Sequence, residues 1–78
     1  MESAKRFIVK KLFQKKYIGE RHTSIANLPK GLPGHLRGDV KQAAKELIAD
    51  GILLAKPTSY GLEVSLNPKK MKEIDQYL

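Results

Sequence analysis

The segment from His35 to Asn67 constrains the fold most, because a helical apolar pattern gives way there to a strand pattern within two residues. Apolar residues in its first half recur at a period of 3.6 residues, which places them on one face of a helix. These residues are Leu36, Val40, Ala43, Ala44, Leu47 and Ile48. Asp50 and Gly51 follow as a stop, since glycine adopts the left-handed conformation without a Cβ penalty. The pattern predicts one helix that ends at Gly51.

The residues after this stop have the pattern of a β-hairpin. Residues 52–56 form an apolar run that ends in Lys56, and residues 57–61 are rich in turn formers. The apolar residues Leu62, Val64 and Leu66 then alternate with two polar ones. This alternation predicts a return strand with one buried face and one wet face.

A first helix is predicted from Ser3, as its N-cap, to about Lys16. Its core face contains four apolar residues at helical spacing, and residues 17–19 end it. The four are Ile8, Val9, Leu12 and Phe13. The next residues, 20–23, fit a short strand. A second helix over residues 24–32, capped by Thr23 or Ser24, is expected to be short or distorted because Pro29 lacks a backbone donor.

A last helix is predicted after Asn67, which is suited to cap it, with Pro68 in the first turn. Its apolar side consists of Met71, Ile74, Tyr77 and Leu78. These residues either pack back on the first helix, which we favour for so small a core, or form the seam of a symmetric dimer. A homodimer would set two reading helices about one turn of duplex apart and favour a palindromic site.

This order of elements resembles a winged helix-turn-helix domain over nearly the whole chain. The junction Glu46-Leu47-Ile48-Ala49-Asp50-Gly51-Ile52-Leu53 is similar to the one that leads into the wing of many such domains. The resemblance implies an α+β fold: a single domain over residues 1–78, with a three-helix core, a two- or three-stranded antiparallel wing sheet and a C-terminal helix. It also implies that the third helix lies in the major groove of DNA.

Composition favours a polyanionic partner and gives no sign of catalysis. Fifteen Lys and Arg against eight Asp and Glu give a net charge of +7. The chain has no cysteine, and its two histidines, His22 and His35, have no metal-site spacing. No apolar run approaches the roughly 18 to 20 residues that cross a bilayer. We therefore expect a soluble cytoplasmic protein associated with the nucleoid, with no enzymatic activity, no metal, no cofactor and no membrane partner.

The predicted third helix has a polar face opposite its apolar stripe. There Arg37 is suited to pair with a guanine edge and Gln42 with an adenine edge, whereas Lys41 and Lys45 are suited to phosphates. The full set is His35, Arg37, Gly38, Lys41, Gln42 and Lys45. The alternative is that this is only the solvated face that any surface helix needs.

The predicted wing offers Lys56, Thr58, Ser59 and Tyr60 to the minor groove or to phosphates. The alternative is ordinary turn chemistry, in which Pro57 presets φ and Tyr60 folds back on the strands. We favour this alternative for Tyr60 and the nucleic-acid contact for Lys56.

The first helix is the most basic segment, and its exposed face has three interpretations. It is a solvated amphipathic face, a set of secondary phosphate contacts, or a surface for anionic membranes. The phosphate interpretation assigns Lys5, Arg6, Lys10 and Lys11. The membrane interpretation is disfavoured because the apolar face of this helix is needed for the core.

Together these patterns predict a small DNA-binding transcriptional regulator whose partner is double-stranded DNA. One alternative is an RNA-binding or ribosome-associated winged helix, which would prefer structured RNA. The other is a protein-interaction module, in which the positive charge mainly aids solubility.

Overall fold

In the computed structural model, which describes residues 4–78, the helices pack against a three-stranded antiparallel sheet. The predicted α+β class is confirmed for this part of the chain. The elements are α1 (Ala4–Gln14), β1 (Thr23–Ser24), α2 (Gly34–Arg37), α3 (Val40–Ala49), β2 (Leu53–Thr58), β3 (Gly61–Leu66) and α4 (Met71–Asp75), with 3-10 helices at Ile25–Asn27 and Pro68–Lys70.

The sheet has the order β1-β3-β2, so β3 is central and the predicted hairpin is its larger part. The hairpin register runs from Leu53 opposite Leu66 to Thr58 opposite Gly61. Its loop is therefore shorter than predicted, and Pro57 lies in β2 rather than in the turn. An edge strand accepts proline because its outer N–H positions need no partner. The strand predicted at residues 20–23 is reduced to β1, which begins only at Thr23.

The core lies between α1, α3 and the sheet. Ile8, Val9 and Leu12 of α1 are buried as predicted, but the burial predicted for Phe13 is wrong, because that ring is 37% exposed. Ser65 of β3 was predicted to face solvent, and this prediction is wrong because the residue is fully buried. Residues 17–19 lie beside the end of β3, where Ile18 bridges to Leu66, and the Ser65 hydroxyl donates a hydrogen bond to the carbonyl of Gly19 at 2.8 Å.

The helix predicted from His35 to Ile48 is divided into α2 and α3 at Gly38 and Asp39. Glycine has a low helix propensity, and aspartate competes for backbone hydrogen bonds in a helix interior. Both residues keep right-handed helical dihedral angles, and the Asp39 N–H still bonds to the carbonyl of Leu36 at 3.0 Å. The apolar stripe therefore continues across the break. Its residues are buried except Ile48, which is partly buried.

The two longest helices end in the same hydrogen-bond pattern, the Schellman motif. In α3 the left-handed position is Gly51 (φ 79°), and the N–H of Ile52 bonds to the carbonyl of Leu47 at 3.0 Å. In α1 the left-handed residue is Lys16 (φ 62°), and the N–H of Tyr17 bonds to the carbonyl of Leu12 at 2.9 Å. The predicted stop at Gly51 is confirmed, whereas α1 ends earlier than predicted.

The N-caps predicted at Ser24 and Asn67 agree with the structure, and the helix predicted after Asn67 begins as a 3-10 helix before α4. Ser24 caps the 3-10 helix that replaces a regular second helix, and its side chain accepts a hydrogen bond from the N–H of Ala26 at 3.2 Å. Asn67 caps the C-terminal segment by accepting from the N–H of Lys69 at 3.0 Å, with Pro68 in the first turn. The N-cap predicted at Ser3 lies outside the described residues.

The side of α4 that was predicted as a dimer seam mostly belongs to the core of a single chain. Ile74 is completely buried, and Met71 and Tyr77 are half-buried against the core. Leu78 remains 42% exposed. Including Ile74 in a seam was therefore wrong, because its side chain is already covered within one chain.

Candidate nucleic-acid interface

The six residues predicted to read DNA form one exposed surface, which we call the α2–α3 basic face. Every one of them is exposed, because the opposite side of both helices is the core. Lys41 and Lys45 have no ion pair or hydrogen bond from their side chains among residues 4–78. The face consists of His35, Arg37, Gly38, Lys41, Gln42 and Lys45.

Arg37 is held by a single contact to the backbone. Its Nε donates to the carbonyl of Leu32 at 3.4 Å, which ties the side chain to the segment before α2. The Nη groups make no hydrogen bond to residues 4–78. Because the guanidinium has five N–H donors, most of its capacity remains for an external acceptor.

Gln42 belongs to a chain of polar contacts that crosses from α3 to α1. Its Nε2 donates to Glu46 Oε2 at 3.0 Å, and Glu46 Oε1 lies 2.7 Å from Lys5 Nζ. The Lys5 hydrogen bond lowers the pKa of Glu46 most, and the Gln42 hydrogen bond lowers it further. The hydrogen bond to Glu46 correspondingly raises the pKa of Lys5. The bond from Gln42 to Glu46 uses one of the two N–H donors of Gln42, so the second N–H and Oε1 remain for an adenine edge.

The α1 residues predicted as phosphate contacts are largely engaged within the chain. Lys5 is paired with Glu46, and Lys11 donates from Nζ to the carbonyl of Asn27 at 2.7 Å and to the carbonyl of Lys30. Arg6 and Lys10 are half-buried. These contacts use one N–H donor of Lys5 and two of Lys11, so each ammonium keeps at least one donor, and the assignment of both residues as phosphate contacts stays a prediction.

Thr58 stabilises the hairpin tip through two hydrogen bonds of its hydroxyl. Its hydroxyl accepts from the N–H of Tyr60 at 3.2 Å and donates to the carbonyl of Gly61 at 2.7 Å. Thr58 is therefore a turn residue rather than a free hydroxyl. The preferred expectation that Tyr60 folds back on the strands is wrong, because the residue is 99% exposed.

Two other residues of the hairpin face solvent. Ser59 shares the two-residue loop with Tyr60, and Lys56 lies opposite Glu63 in the strand register. Both are exposed, so the tip presents a hydroxyl, an ammonium and a phenol ring to solvent.

A second basic feature was not singled out from the sequence. A cleft between α1 and residues 23–32 has a volume of about 260 Å³, and a second cleft of about 500 Å³ shares three of its lysines. We call the pair the α1 cleft; the shared residues are Lys11, Lys15 and Lys30. The spacing of these lysines in the sequence does not predict that they lie close together, because their proximity depends on how residues 27–31 fold back on α1.

Two further observations concern residues 4–78 only. No helix there is long and apolar enough to cross a membrane, and no three His, Asp or Glu side chains cluster as a metal site would require. Comparison of the chain with protein-family models, curated proteins and solved structures gives no match.

Proposed function

We propose that this protein is a non-enzymatic winged-helix protein that binds double-stranded DNA, as a small transcriptional regulator would. The α2–α3 basic face enters the major groove, and the hairpin contacts the adjacent backbone or minor groove. The observation that carries the proposal is the α2–α3 basic face itself. Its lysines are exposed and make no ion pair or side-chain hydrogen bond within residues 4–78, on helices whose other side is core.

The order of the elements supports the same fold assignment. A helix, a short strand, an irregular segment, α2 and α3, and then a hairpin follow one another as in a winged helix-turn-helix domain. The hairpin begins four residues after α3 ends, and its exposed tip carries Tyr60. A net charge of +7 adds a long-range attraction to the phosphate backbone.

The residues divide into two roles. Arg37 retains most of its N–H donors, so we assign it to a base edge, where a bidentate pair with guanine contributes about 1 to 3 kcal/mol of discrimination. Lys41 and Lys45 are assigned to phosphates, since a flexible ammonium sets affinity rather than sequence preference. Gln42 is assigned as a second base contact, through the N–H and the Oε1 that its hydrogen bond to Glu46 leaves unused.

The test compares Arg37→Ala, Lys41→Ala and the control Lys72→Ala in binding to a set of mixed-sequence duplexes at several salt concentrations. Lys72 is an exposed lysine of α4 and is not among the residues assigned to the proposed interface. We expect Arg37→Ala to lose sequence preference. Lys41→Ala should weaken all duplexes about equally and reduce the salt slope by about one. Lys72→Ala should bind almost as the parent protein does.

Three outcomes would contradict the proposal. Equal effects of Lys41→Ala and Lys72→Ala would mean attraction by net charge alone. Tighter binding to structured RNA than to any duplex would indicate an RNA-binding module. Absence of saturable binding to either nucleic acid would favour a protein-interaction module.

A further inference from the structure

The α1 cleft brings three lysines together without a carboxylate. Lys11 and Lys15 come from α1, and Lys30 comes from the irregular segment before α2. Neither cleft has an Asp or Glu among its lining residues. Three like charges around a concave surface repel one another, so the site is electrostatically favourable for an anion.

Lys11 supplies a fixed cation at the centre of this site. Two of its three N–H donors are used by the carbonyl oxygens of Asn27 and Lys30, which leaves one for a ligand. Burial lowers the pKa of Lys11, and the charges of Lys15 and Lys30 lower it further. An anion in the cleft would relieve this repulsion.

The remaining walls of the smaller cleft are largely apolar. Leu12 and Leu28 are buried beneath it, and the half-buried ring of Tyr17 forms part of its side. Small-molecule sites combine apolar walls with a few charged groups that fix orientation, at volumes of roughly 300 to 1,000 Å³. A volume of about 260 Å³, continued by the adjoining cleft, is near the lower end of that range.

We propose that the α1 cleft binds a small phosphate ester, such as a mononucleotide, with its phosphate between Lys11, Lys15 and Lys30 and its organic part against Leu28 and Tyr17. This site shares no lining residue with the α2–α3 basic face, although Arg37 of that face bonds to the carbonyl of Leu32, which lines the larger cleft. Binding of a small phosphate ester is therefore tested separately from DNA binding.

The experiment is an amide-shift titration by NMR with inorganic phosphate and with AMP, at constant ionic strength set by sodium chloride. A Lys15→Gln/Lys30→Gln variant removes two exposed cleft charges, while the Lys30 carbonyl that holds Lys11 is retained. The control Lys69→Gln/Lys72→Gln removes the same charge from exposed lysines near the C terminus. We expect saturable shifts near Lys11, Tyr17 and Leu28, with AMP tighter than phosphate.

The cleft variant should weaken AMP binding about tenfold or more, since charge-assisted hydrogen bonds are lost, and the control should not. Equal weakening in both variants, or shifts that sodium chloride reproduces, would overturn the proposal. A third titration, with a DNA duplex, distinguishes a small phosphate ester from the phosphate backbone of DNA as the ligand of the cleft. Cleft shifts with a duplex but not with phosphate or AMP would mean a backbone contact and would also overturn it.

Discussion

The helices α1 and α3 both carry lysines outside the core, but only α1 has lysines, Lys5 and Lys11, that make polar contacts within the fold. Lys5 pairs with Glu46 of α3, and Lys11 holds two carbonyl groups of the segment before α2. Lys41 and Lys45 of α3 have no such contacts among residues 4–78. A cation whose N–H donors are partly engaged in the fold has fewer of them for a phosphate. Our proposal therefore ranks the two surfaces by how far each charge is engaged within the fold rather than by local charge density.

The C-terminal ends of α1 and α3 also differ, in the residue that adopts the left-handed conformation. Both use a left-handed residue in a Schellman motif, but α3 has glycine there and α1 has Lys16. A side chain in the left-handed region costs roughly 1 to 2 kcal/mol. The end of α1 is therefore strained where the end of α3 is not.

The largest effect is expected from Gly51→Ala at the end of α3. The added Cβ would lie 3.4 Å from Lys70 Cε, an ordinary contact, so the cost arises from the positive φ. We expect the free energy of unfolding in urea to fall by about 1 to 2 kcal/mol. Gly38→Ala is the matched control, because Gly38 has a helical φ and open space around it, so that variant should be neutral or more stable. Equal losses in both variants would contradict this account.

The second-largest effect on stability is expected from Lys11 of α1, whose ammonium group bonds to two backbone carbonyls. Lys11→Met keeps the apolar stem but removes the donor to Asn27 and Lys30, and we expect a loss of about 1 kcal/mol in urea unfolding. Lys41→Met on α3 should change the stability by less than about 0.5 kcal/mol, as exposed substitutions usually do. If the two variants were equally stable, the claim that Lys11 stabilises the fold more than Lys41 does would be wrong.

A smaller effect of opposite sign is expected from Lys16→Gly. Relief of the left-handed strain stabilises the fold, and the greater freedom of glycine in the unfolded chain offsets part of it, leaving a gain of about 0.5 kcal/mol. Lys15→Gly serves as the control, since Lys15 has no positive φ. Its stability should fall or stay unchanged, and a gain there would point to charge reduction as the cause.

The smallest effect is expected from the ion pair between the helices. The pKa of Glu46 is lowered in the fold, so the pair stabilises it at neutral pH and ceases to do so as Glu46 is protonated in acid. The pKa of Lys5 is raised, so the contribution also disappears as Lys5 loses its proton in strong base. Lys5→Gln should lower the Tm slightly at neutral pH and not in acid. Lys41→Gln should show no such pH-dependent difference, and a constant offset for Lys5→Gln would refute the pairing.

Features that depend on local periodicity could be predicted from the sequence. The apolar stripe, the stop at Gly51 and the cap at Asn67 all depend on residues within a few positions of one another. The exposed α2–α3 basic face followed from the stripe, because a helix with one buried side has the other side in solvent.

Features that depend on contacts distant in sequence could not be predicted in this way. Ser65 is buried by residues 46 positions earlier in the chain, and Lys11 is engaged by a carbonyl 16 positions later. Lys16 was missed for a different reason, since a left-handed residue is usually glycine and Gly19 lies nearby.

The full exposure of Tyr60 gives the protein a built-in optical reporter. The chain has no tryptophan and three tyrosines, of which Tyr17 and Tyr77 are half-buried against the core. A soluble quencher should therefore reach Tyr60 more readily than the other two phenol rings. A partner that covers the hairpin tip will reduce the quenching of Tyr60 fluorescence. The Tyr60→Phe variant, which lacks this emission, is the control.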